Sequence, residues 1–184
     1  MKARCLLGAV TLAATLAIGC DSSEKEKKAA PGDGNGNGTR TQGDAAPAPA
    51  TVFLRIRVAG DRALLDVIAR NASRDVHGAA FRLGWAPERL TFVEAHVSDA
   101  WSSSAIHHAK EGLPGELVVV WSEKGGAAGV PASDETTLGT IELAVKTPGP
   151  TDVTFRADRS TLRDATGAAI PVEWRGGQLA APRD

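Results

Sequence analysis

Four histidines, a run of three serines, a string of evenly spaced oxygen-bearing side chains and four tryptophans are the places where chemistry could begin in this chain. Asp33, Asn35, Asn37, Gly38 and Asp44 occupy positions 1, 3, 5, 6 and 12 of a calcium loop, the alternate spacing a hard cation needs. Position 8 of that loop is Arg40 where an apolar residue is usual, and Gly/Asn repeats generate the same spacing, so plain linker is the expected reading. His107 and His108 are adjacent, and neighbours on a strand point to opposite faces, so they do not share one ion. His77 and His96 lack a partner at ligand spacing. Ser102, Ser103 and Ser104 have no Gly-x-Ser-x-Gly elbow around them. The acids, among them Asp61, Asp99, Asp134, Glu135, Asp152 and Asp164, are scattered through turns rather than paired. Neither an enzyme, a metal site nor a cofactor is expected. Trp85, Trp121 and Trp174 share strand faces with Leu, Val and Ile and read as core. Trp101, inside the polar run from Asp99 to Ser104, is the candidate for an exposed aromatic.

The amino-terminal segment decides where such groups would work. Lys2 and Arg4 are followed by an uncharged apolar run from Leu6 to Ile18, then by Gly19-Cys20 and a polar stretch. The run is shorter than the roughly 20 residues a bilayer-spanning helix needs. It has the three-part layout of a secretory signal. Leu16-Ala17-Ile18-Gly19-Cys20 resembles the lipobox of a bacterial lipoprotein, with Ala17 where leucine is usual. That resemblance implies a signal peptide over residues 1–19, cleavage before Cys20 and a diacylglycerol on the Cys20 thiol. The chain would then be lipid-anchored in the cell envelope, on a bacterial membrane facing the periplasm or exterior. Each buried methylene contributes about 0.8 kcal/mol, and a multiply acylated cysteine satisfies the need for more than one chain. Cleavage removes Lys2 and Arg4, moving the formal net charge from -1 to -3 and leaving no electrostatic case for nucleic acid. Cys5 leaves with the signal and Cys20 is acylated, so the folded part is expected to stand on packing alone, without a disulfide.

Residues 20–50 are a lipidated linker on this reading. They hold charged, Gly/Asn and Pro/Ala runs and no large apolar residue between Asp21 and Ala50, too little to offset ordering entropy. From Thr51 the texture changes. Val52, Leu54, Ile56 and Val58 alternate with polar neighbours, as do Leu65, Val67 and Ala69, then Phe81, Leu83 and Trp85, then Leu117, Val119 and Trp121. Residues 140–146 form the cleanest period-2 run, and Val153, Phe155, Ile170, Val172 and Trp174 complete the set. Turn signals such as Pro114-Gly115, Gly125-Gly126 and Pro148-Gly149-Pro150 separate them. Eight or nine short strands with regular turns argue for an all-β sandwich.

Three stretches carry a more specific resemblance. Residues 80–93 run an apolar strand into Trp85-Ala86-Pro87-Glu88-Arg89-Leu90 and a second apolar strand. Residues 116–123 are followed by Gly125-Gly126 and the run from Leu138 to Val145. Thr151 to Phe155, Asp164-Ala165-Thr166-Gly167 and Val172 to Leu179 close the series. In this order they resemble a cohesin module over residues 51–180, with 181–184 as a tail. The resemblance implies a nine-stranded jelly-roll sandwich, related in fold to cellulose-binding modules. It also implies recognition of a protein partner, a dockerin-type module or another envelope protein. The family's Tyr-Asp-Pro is Trp85-Ala86-Pro87 here, and the positions of its polar Asn and Asp are Gly78 and Ala80. One sheet face makes the contact in the family, and by strand parity it would offer Ala80, Arg82, Val118, Val120, Ser122 and Arg156. Arg55, Arg57 and Arg175 lie on strand faces opposite apolar ones and read as a solvated surface. The competing functions are direct binding of polysaccharide or cell-wall glycan and a structural part in an envelope assembly.

Overall fold

The computed structural model describes residues 48–180. Cys20, the calcium-spaced segment and the tail at 181–184 lie outside the described residues. Twelve strands follow in order: β1 Ala50–Ala59, β2 Arg62–Arg70, β3 Gly78–Gly84, β4 Leu90–Val97, β5 Ile106–Leu113, β6 Glu116–Ser122, β7 Thr136–Val145, β8 Thr151–Phe155, β9 Thr161–Arg163, β10 Ala169–Ile170, β11 Val172–Arg175 and β12 Gly177–Leu179. A 3-10 turn at Ala157–Arg159 is the one helical piece among the described residues. One sheet runs β11-β1-β2-β7-β4, and the other β10-β9-β3-β6-β5, with β8 joined to both β3 and β12. The all-β jelly-roll sandwich is therefore present, with more strands than nine. The excess comes from the last third of the chain, where turns chop the backbone into pieces of two to five residues.

Alternation explains the layering. In β2, Ala63, Leu65, Val67 and Ala69 are fully buried, while Leu64 and Asp66 between them are half-exposed. In β6 the buried set is Leu117, Val119 and Trp121, and Val118, Val120 and Ser122 point away from it. Both inward sets meet in one cluster that includes Val52, Phe81, Leu83, Ile141 and Leu143. At its centre Phe81 meets Trp121 edge-on with ring centroids 5.2 Å apart, a favoured aromatic geometry. Gly139 on β7 makes room for that indole. A Cβ there would collide with the His96 carbonyl and come within 2.6 Å of the Trp121 ring.

The other tryptophans are buried or half-buried. Trp85 is buried with its Nε1–H donating to the Leu90 carbonyl at 3.1 Å, across the turn that Pro87 starts. Trp174 is half-buried against Phe155, centroids 5.0 Å apart. Trp101 corrects the sequence reading: it is only 5% exposed. Its Nε1–H donates to the Leu138 carbonyl at 2.7 Å, which draws the polar loop down over the core. The next residue anchors the loop, since Ser102 donates its backbone N–H (2.7 Å) and its hydroxyl (2.5 Å) to the buried Glu123 carboxylate. A buried indole needs a partner for its N–H, and the loop's sequence contains no sign of one in a strand some 40 positions away.

Candidate docking face

The outward side of the second sheet gathers the residues selected by parity. Cross-strand register sets Ala80 beside Val120 and Arg82 beside Val118. Gly78 stands opposite Ser122, so the absent Asn and Asp side chains leave this part of the surface low and apolar. Ala80, Arg82, Val118, Val120 and Ser122 are all half-buried and share one face. Arg156 follows β8 directly, and its backbone N–H donates to the Arg82 carbonyl at 2.9 Å. A Cβ at Gly84 would stand 3.5 Å from the Arg156 guanidinium, so that side chain borders the same face. The structure thus brings all six predicted residues together.

The register adds members that the sequence reading did not include. On β5, Ile106, His108 and Lys110 lie opposite Ser122, Val120 and Val118. On β9, Thr161 lies opposite Ala80 and Arg163 opposite Gly78. A hollow of about 230 Å³ opens over the centre of this surface, lined by Gly78, Ala80, Val120, Ser122, Thr161 and Arg163. Beyond Gly84 a polar cleft of about 420 Å³ continues between Arg89, Asp152 and Arg156. β5 carries no period-2 apolar signal because it is an edge strand, open to solvent on both sides over most of its length. His107 and His108 fall on opposite faces of it, opposite Trp121 and Val120, as adjacency dictates.

Charge is arranged unevenly here. Arg82 is held by Glu116 at 2.7 Å. Lys110, Arg156 and Arg163 form no ion pair among the described residues. Arg163 donates only to the neutral Gly167 carbonyl, at 2.6 Å. The hairpin that carries it is pinned by Asp164. That carboxylate is 7% exposed and accepts from the Thr166 hydroxyl (2.7 Å), the Thr166 N–H (2.9 Å), the Ala168 N–H (3.0 Å) and Arg74. The Thr166 hydroxyl, then Arg74, hold its pKa well below the usual carboxylate range.

Comparison with solved structures settles the fold. The sixth cohesin of scaffoldin B from Acetivibrio cellulolyticus, solved in complex with the Cel5 dockerin, superposes with a TM-score of 0.64 at 11% identity, over 73% of this chain and 100% of that one. The OlpA cohesin of Clostridium thermocellum, also in a dockerin complex, gives 0.58 at 15% identity over 72% and 99%. A non-cellulosomal cohesin from the archaeon Archaeoglobus fulgidus gives 0.56 at 14% over 71% and 89%. The fold is that of a cohesin. No family model and no curated protein matches the sequence. In this cohesin-like domain the surface that faces solvent on β9, β3, β6 and β5 is the best-formed candidate site, and it combines an apolar centre with a cationic edge.

Proposed function

We propose that the chain is an exported, lipid-anchored docking module that grips a protein partner across the β9-β3-β6-β5 face rather than performing catalysis. The observation that carries this reading is the set of outward valines. Val118 and Val120 stand on a sheet face flanked by charge, and apolar area framed in this way marks contact sites. The cohesins with this fold that were solved with dockerins support a protein as the partner, of dockerin type or another envelope protein. The lipobox ending in Cys20 supports anchoring through the lipid at the cell envelope. The rival reading, a glycan platform, loses its candidate aromatic with the burial of Trp101.

The test is a photo-activated cross-linker at position 120 of the full chain, in the cell that makes it, with one at Thr140 on the opposite sheet as control. One protein joined from 120 and not from 140 is the expected result. Labelling with palmitate, lost in Cys20→Ser, tests the anchor. A chain that takes up no palmitate, or a position 120 that joins to nothing, rejects the corresponding half of the proposal.

A further inference from the structure

The docking face has an electrical sign, and that sign specifies its partner. Resting on the docking reading above, we infer that the partner presents a small apolar knob flanked by carboxylates. The hollow over Ala80 and Val120 has a floor of small side chains and takes one such knob. Arg163 stands at one corner of this face on β9, Lys110 at the diagonal corner on β5, and Arg156 at the end of β8. None of the three forms an ion pair among the described residues, whereas Arg82 between them does. Three strand spacings separate β9 from β5, about 14 Å across the sheet. Carboxylates on the partner must therefore stand on both sides of the knob, not in one cluster.

The chain as a whole is nearly neutral, at -1, so these cations are a local arrangement and not a reflection of overall composition. On β3 and β6 the ladders take up the backbone, apart from the Arg82 N–H, which donates to the Ser160 hydroxyl at 3.3 Å. Over β3 and β6 a partner therefore meets mainly side chains, and the cations outside any ion pair become the directional contacts. Complementary charge acts on the rate of encounter and on partner choice more than on final affinity. The sign of the face also rejects basic partners.

The experiment uses the protein joined at position 120. Its cross-linked segment is mapped by mass spectrometry, and the purified partner is titrated against the full chain. The expected segment holds Asp or Glu on both sides of a small apolar residue. Arg163→Glu with Lys110→Glu is expected to slow association about 10-fold or more at low salt, with the gap closing as salt rises. Arg163→Ala with Lys110→Ala is expected to give a smaller loss of the same kind, with far-UV circular dichroism unchanged. A neutral or basic segment, or an association rate indifferent to the double reversal while Val120→Asp still abolishes binding, overturns the charge inference and leaves the docking reading standing. No protein joined from 120 removes both. Sedimentation of the Cys20→Ser chain with phosphatidylglycerol vesicles, lost in the double reversal, would assign the cations to an anionic lipid surface and overturn the inference as well.

Discussion

The two outward faces of the sandwich are built by the same alternation and are finished differently. On the first sheet the charges satisfy one another. Arg57 grips Asp66 at 2.9 Å, and Asp66 also accepts from Thr140 at 2.8 Å. Arg62 reaches Glu142 at 3.0 Å, Arg55 holds Glu135 at 2.8 Å, and Arg175 holds Glu173 at 2.8 Å. On the second sheet the middle of the surface is Ala80, Val118 and Val120, and three cations around it form no ion pair among the described residues. A face that closes its own ion pairs has little to offer a partner. A face left apolar at the centre and charged at the edge keeps groups available for a contact. Both faces meet the same solvent, and the contrast between them is what the docking proposal rests on.

Breaking what both faces share should have the largest effect. Trp121→Ala is expected to cost about 3–5 kcal/mol by chemical denaturation, since it empties the space between Phe81 and Gly139. Both faces would be lost together, and retention of normal stability would show that the sheets do not depend on that contact. Next comes Val120→Asp, which is expected to weaken partner binding by more than about 30-fold while the melting temperature holds near that of the parent. Arg57→Ala, its counterpart on the paired face, is expected to leave binding unchanged. Equal effects from the two would erase the distinction drawn here.

Acid should then separate the regions further. Asp164 titrates below its usual 3.8 in the folded chain, so at low pH the unfolded chain binds more protons than the folded one. Its contribution is complete above about pH 4 and drains away as pH falls below that. Arg74→Ala should flatten this part of the profile, measured as melting temperature against pH. A slope unchanged in Arg74→Ala would remove the ion pair from the explanation. The smallest effect belongs to the exposed pair itself. Arg57→Ala is expected to change stability by less than about 1 kcal/mol by denaturant titration, as surface ion pairs do.

Much of this arrangement was legible in the residues. Outward placement of Val118 and Val120 follows from Leu117, Val119 and Trp121 alone, because a strand has period two. The turn at Pro87 is likewise written in its sequence, and the Arg89 and Leu90 N–H groups both return to the Ala86 carbonyl. What escaped was information held in pairing. Lys110 joins the face only because β5 lies beside β6 in one particular register, interrupted by a bulge between Glu111 and Leu113. Arg82 and Arg163 look equivalent as letters, yet one reaches Glu116 diagonally across the ladder and the other reaches no carboxylate among the described residues. Trp101 was misplaced for the same reason. Its environment is set by Leu138, not by the serines beside it.

One more property is built into the first sheet. β1 lies between β2, which runs against it, and β11, which runs with it from Ala50–Val172 to Phe53–Arg175. A pull entering the chain at Ala50, opposed by a load on the far sheet, drags β1 lengthwise between two neighbours. Its ladder bonds are then stressed simultaneously in shear instead of parting one by one. A domain threaded in this way resists being unravelled from that end.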